Sequence, residues 1–147
     1  MSLARGHDLL TRNAWRTAAL GDVFEAALAP FSAEAIRISG GPADARVKPD
    51  LAVNLVMVLN ELATNAGKYG GLSKPGAEVI ITWSAEQGLL QLEWRERGGP
   101  PVDTPTHTGF GARLIRTALN PFGGAVDLSF SPEGVRCRMS APLDNAD

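Results

Sequence analysis

Asn54, Glu61, Asn65 and Lys68 fall within a narrow stripe along one side of a segment with helical periodicity, the last three spaced i, i+4, i+7. Their chemistry suits a metal–phosphate site. An asparagine side-chain oxygen is a hard neutral ligand, appropriate for Mg²⁺ that already carries triphosphate oxygens. A lysine one turn further on supplies a point positive charge for phosphate. A carboxylate one turn earlier can orient a water or accept a proton. Met57 and Val58 flank the stripe, which argues for the wall of a cleft. Taken by itself, the stripe reads first as an ordinary solvated face, with a weak Glu61–Asn65 contact of a few tenths of a kcal/mol.

A second group lies at the end of an alternating segment. Leu90, Leu92, Trp94 and Glu96 share one face by the two-residue period, with Gln91, Glu93 and Arg95 opposite. If the first set faces the core, Glu96 points inward where the strand stops, and a buried carboxylate needs a donor. The exocyclic amine of adenine is one, and an acceptor-only group discriminates against guanine, whose corresponding position is a carbonyl. Gly98-Gly99 would let the backbone approach a flat base. The competing reading is a strand end whose acid has turned to solvent, with Gly-Gly-Pro-Pro as a plain turn.

The third group is Gly109-Phe110-Gly111, leading into Ala112-Arg113-Leu114-Ile115-Arg116. A helix start presents free N–H groups to an anion, and Arg113 or Arg116 adds charge. Alone, such a glycine pair is as often a turn. It is not a P-loop, because no Gly-Lys-Ser/Thr follows, and no Rossmann unit surrounds it.

The elements that must position these groups follow from periodicity and punctuation. Residues 3–16 and Leu20–Leu28 read as helices, the second closed by Pro30 and burying Leu20, Val23, Phe24, Ala27 and Leu28. Ile36 and Ile38 mark a short strand broken by Gly40-Gly41-Pro42. Asp50 is the expected N-cap of a long helix from Leu51 to about Tyr69, ended by Gly70-Gly71. Its core arc is Leu51, Leu55, Leu59, Leu62, Ala66 and Tyr69. Val79–Trp83 and Leu89–Glu96 form a hairpin through Glu86-Gln87-Gly88. After a loop from Gly98 to Gly109 come a helix from Ala112 to about Leu119 and a hairpin of Ala125–Phe130 and Val135–Ser140. The order predicts an α+β fold, with helices layered on one face of a mixed or antiparallel sheet.

Composition narrows the class without naming a chemistry. The 147 residues fit one core, 44% are hydrophobic and 20% charged, and the formal net charge is −2. That balance gives no case for nucleic acid or an anionic membrane as partner. Cys137, the single cysteine, reads as a small core residue in a reducing compartment. The first residues lack the apolar stretch of a signal peptide, and no run of about 18 apolar residues spans a membrane, so a cytoplasmic location is expected.

The order of the three groups is specific. Asn-bearing helix, acid-ended strand with Gly-Gly, then Gly-x-Gly opening a helix resembles the ATP-binding domain shared by histidine kinases, gyrase-type topoisomerases, Hsp90-type chaperones and MutL proteins. Within it, the chain resembles the HWE subfamily of bacterial histidine kinases. Asn60–Gly70 is similar to their N box, Trp94-Arg95-Glu96 with Gly98-Gly99-Pro100 to their Trp-x-Glu signature, and Gly109–Ile115 to their second glycine box. His7–Arg12 with Trp15 is similar to the stretch joining their dimerisation helix to the catalytic domain. Asn60 departs from the histidine usual before the Glu and is common in the related second class of these kinases.

The resemblance implies a two-layer α/β sandwich of the Bergerat type, about five strands with about three helices on one face. It implies a dimerisation-region remnant over residues 1–18 and a catalytic domain over 19–147. ATP and Mg²⁺ would be the ligands, with Asn65 on the metal, Lys68 on phosphate, Glu61 assisting transfer and Tyr69 bordering the base. Glu96 would accept from adenine, where many relatives use Asp. Gly98, Gly109 and Gly111, with Phe110, Arg113 and Leu114 beside them, would let loops close over the nucleotide, Asp103–Thr108 being a short lid. The implied partners are the phosphoacceptor helix of a homodimeric parent kinase and, through it, a response regulator. His7 and His107 are the only histidines. His7 lies after the family's acceptor position and His107 in the lid, so the acceptor is expected outside this chain. A degenerate scaffold of the same fold is the non-enzymatic alternative, and a chaperone- or topoisomerase-type ATPase would need a longer chain and larger lid.

Overall fold

A computed structural model describes residues 17–31, 33–42, 44–101 and 110–143, excluding the side chain of Phe110. The predicted helix over 3–16, His7, His107, the lid and Gly109 lie outside the described residues.

Five strands make one mixed sheet in the order β2-β4-β5-β7-β6: β2 (Ile36–Gly41), β4 (Glu78–Glu86), β5 (Leu89–Arg97), β7 (Gly134–Pro142) and β6 (Ala125–Ser131). β2 runs parallel to β4, and the other pairs are antiparallel. Three helices, α1 (Leu20–Leu28), α2 (Pro49–Tyr69) and α3 (Phe110–Thr117), cover one face. The expected α+β architecture, a mixed five-stranded sheet with helices on one side, is what the chain forms.

Alternation decides the face of the central strands β4, β5 and β7. Val79, Ile81, Leu90, Leu92, Trp94, Cys137, Met139 and Ala141 are buried under the helices. Across the sheet they meet Leu51, Leu55, Leu59, Leu62 and Ala66 of α2, and burying a leucine side chain is worth about 1.5–3 kcal/mol. Burial pushes the Cys137 thiol up to about 12, so it is an unreactive core group, as its sequence setting predicts. The opposite face carries the charges. Glu78 accepts from Arg37 and Arg97, and Glu93 from Arg136 and Arg138.

Two hairpins fix the register. Gln87 and Gly88 both have positive φ, 54° and 75°, the two-residue turn whose twist matches paired strands, so β4 and β5 are longer than their apolar runs. Ser131 pairs with Gly134 at the second turn.

Three details differ from expectation. Helix α2 starts at Pro49 with Lys48 as N-cap, so Asp50 is not the cap. Proline's fixed φ and missing N–H suit the first helical position. Asp50 sits in the first turn, its Oδ1 accepting from the Leu51 N–H at 2.9 Å. Tyr69 does not extend the core arc, being 68% exposed, because the core face of α2 ends at Ala66 and the chain turns away at Gly70. Finally, β1 (Ala18–Ala19) pairs with β3 (Arg46–Val47) in a ribbon too short to show a period. Ala18 of this ribbon is buried. Among the described residues no helix is long and apolar enough to cross a membrane.

Candidate functional site

The C-terminal end of α2 and the end of β5 converge on Glu96. Alternation turns its side chain inward, and Glu96 is the only buried charged residue among those described, 6% exposed. Its Oε1 accepts from the Gly71 backbone N–H at 2.9 Å, and its Oε2 from the Trp94 indole N–H at 2.8 Å. Burial raises the carboxyl above its ordinary value, and these two donors pull it partly back by favouring the ionised form. The inward acid read from the sequence is therefore present, held by two neutral donors.

Gly70-Gly71 is more than the helix stop that sequence reasoning assigned. A Cβ at Gly70 would lie 2.1 Å from Glu96 Oε1, and one at Gly71 would lie 2.9 Å from Glu96 Cβ. Both glycines clear the seat for the carboxylate. The available signal was the doubling, since one glycine ends a helix. Gly99 serves the same junction, and Gly98 is exposed beside it. Gly98 has φ +77° and abuts the Gly76 carbonyl, while a Cβ at Gly99 would meet the Gly70 carbonyl oxygen at 2.6 Å.

Further back along α2, Glu61 and Asn65 are half-buried, while Lys68 and Tyr69 are exposed. The Glu61 carboxylate faces the start of α3, where a Cβ at Gly111 would stand 2.2 Å from its Oε2. The stripe thus runs between the start of α3 and the seat of Glu96, about 14 Å apart along the helix axis from the nine-residue separation of Glu61 and Gly70. In α3, Leu114 is half-buried and Arg113 exposed. Asn54 leaves the expected group. Its side chain donates to the Ala118 carbonyl at 2.8 Å, tying α2 to the chain after α3. Asn60 likewise donates to the Ala27 carbonyl at 3.3 Å, at the end of α1.

Metal chemistry here fits a shared site. Among the described residues no group of three or more His, Cys, Asp or Glu could hold a metal. One half-buried asparagine is the donor set expected for Mg²⁺ that takes most of its ligands from substrate phosphates and water.

Gly111→Ala separates position from fold. The nearest atoms the new methyl meets belong to the end of the Glu61 side chain, which can swing aside, and Ala is better than Gly in a helix by about 1 kcal/mol. Thermal unfolding should move little or upward while any chemistry that needs Glu61 in place falls. A marked loss of stability would show that the contact is structural.

Residues 1–42 match the HWE histidine kinase family. The chain is 37% identical over 150 residues to the blue-light-activated histidine kinase of Brucella anthropi, covering 97% of this chain and 30% of that protein. The Brucella ovis protein of the same name is 32% identical over 148 residues, with the same coverage. The chain thus spans about a third of the length of these curated relatives. In fold it is similar to the histidine kinase domain of the Erythrobacter litoralis EL346 blue-light-activated kinase, with TM-score 0.75 and 16% identity over 97% of this chain and 72% of that one. The catalytic domain of histidine kinase ThkA gives TM-score 0.69 and 18% identity, covering 86% of this chain and 95% of that one.

Proposed function

We propose, on the premise that the chain belongs with the histidine kinases, that it is their catalytic domain at work: it binds ATP with Mg²⁺ and delivers the γ-phosphoryl group to a histidine other than His7 or His107. One observation carries the reading. A buried, neutral-donor-held carboxylate, Glu96, sits at the end of the same helix that bears Glu61, Asn65 and Lys68 in line. Adenine would meet Glu96 and the phosphates would run back along α2.

Each residue then has one task. Asn65 would hold the metal and phosphate oxygens, and Lys68, free to swing at the surface, would meet a phosphate. Glu61 would orient the accepting imidazole or take its proton. Tyr69, Gly98, Gly109, Phe110, Gly111, Arg113 and Leu114 would border the nucleotide and its closing loop. Mg²⁺, when bound with the nucleotide, supplies charge neutralisation on the phosphates. Phosphoryl transfer needs little covalent chemistry from the protein, so positioning of this kind suffices. We place the domain in the cytoplasm, acting on the acceptor helix of a homodimeric parent kinase and through it on a response regulator. One structural neighbour, histidine kinase ThkA, is seen with its response regulator.

Calorimetric titration with ATP and Mg²⁺ tests the reading. Saturable binding is expected, with no radiolabel kept on the chain and label passed to an added acceptor domain. No binding at all would favour a degenerate scaffold, and label on His7 would move the acceptor into this chain.

A further inference from the structure

We propose that Trp94 is a positioning residue for adenine recognition: its indole N–H and the Gly71 backbone N–H clamp the Glu96 carboxylate in a single orientation for a 6-amino purine. The inference rests on the ATP reading above.

Trp94 is fully buried, at a position where leucine or phenylalanine would fill the core. A buried indole N–H needs a partner, and Trp94 finds it in the acid two residues along the same strand, on the same face. The second donor, Gly71, engages the other oxygen. The seat itself exists because Gly70 and Gly71 lack side chains, which would otherwise occupy it. Both donors are neutral, so they orient the carboxylate without cancelling its charge, as an arginine would. Each oxygen has two lone pairs and one protein donor, which leaves capacity for a further N–H.

Among the described residues, no charged group contributes to the ionisation of Glu96. Burial, Gly71 and Trp94 account for the ionisation of Glu96. Lys68 and Tyr69 on α2, Lys74 in the following loop and Glu133 in the β6–β7 turn are exposed. Glu78 and Arg97, at the same end of the sheet, pair with each other on its opposite face.

Two replacements remove the indole donor: Trp94→Phe, and benzothienylalanine at 94, which keeps the shape and puts sulfur in place of N–H. ATP affinity should fall about tenfold at neutral pH, the cost of one charge-assisted hydrogen bond. Binding of inosine triphosphate, which lacks the 6-amino group, should not change. Losing a donor to the ionised form raises the carboxyl further, so the loss of ATP affinity on acidification should begin at higher pH. Carbon NMR of the Glu96 carboxyl without nucleotide should show the same upward move. In the unaltered chain, the Trp94 indole N–H resonance should titrate with it, a reading that survives if both variants fail to fold. An unmoved Glu96 titration, or ATP binding with unchanged affinity and pH profile in a folded variant, overturns the clamp. If the unaltered chain binds no ATP, the functional reading fails instead, even where the NMR titrations behave as expected.

Discussion

Asn65→Ala is expected to remove Mg²⁺-dependent ATP binding, a loss of about 100-fold or more given that even groups behind a metal ligand cost 10–100-fold, with the fold intact. The asymmetry follows from what the side chain does in the folded chain. Asn65 is half-buried and makes no side-chain hydrogen bond to any described residue, so truncation leaves no stranded partner among them. Alanine is also the better helix former. Asn60 is the internal control. It lies five residues earlier on the same helix and donates to the Ala27 carbonyl, so Asn60→Ala should cost about 1 kcal/mol of stability. Titrations with and without Mg²⁺, beside thermal unfolding of both variants, check the contrast. If the Asn65 variant bound ATP–Mg²⁺ normally, the stripe would be an ordinary helix face after all.

That contrast marks what could be read from the sequence. Periodicity reports which side of an element is buried, because it reports geometry local to the element. Leu90, Leu92, Trp94 and Glu96 therefore lie on the face that the period predicts, as do Leu20, Val23, Phe24, Ala27 and Leu28 of α1 and most of the α2 arc. It overran at Tyr69, because an apolar period cannot say where the opposing layer stops. It misplaced the start of α2, because Asp50 and Pro49 are both start signals and proline's geometry decided. Partners remote in the chain leave no local trace. Asn54 looks like part of a functional polar face until its bond to Ala118 is seen. For the same reason the indole bond to Glu96 was within reach of two-residue alternation, whereas the role of Gly71 was not.

Glu96→Ala should lose both stability and ATP binding, and the two losses should depend on pH in opposite ways. Removing the carboxylate strands the Gly71 and Trp94 donors in a buried site, at a cost of about 2–4 kcal/mol. The pH dependence follows from the raised ionisation of Glu96 in the fold. An acid whose folded value lies above its unfolded value binds its proton more tightly when folded. The stability it lends is complete below the unfolded value and is lost as pH rises through the folded one. The unaltered chain therefore gives up stability over that window and the alanine variant does not, so the deficit of the variant is largest in acid and narrows toward alkaline pH. Adenine recognition has the opposite requirement, since only the ionised carboxylate accepts freely from the 6-amino group. In the unaltered chain, ATP affinity should weaken as pH falls through the same window, and in the variant it should stay low throughout. Glu96→Gln sharpens the distinction, because its amide can face only one of the two donors with an oxygen. It should fold better than the alanine variant and still bind ATP poorly. Denaturant unfolding and ATP titration across pH, run on the three proteins, would reveal a carboxylate kept for binding at the expense of stability. ATP affinity that survives Glu96→Ala would instead leave Glu96 a structural bridge between β5 and the end of α2.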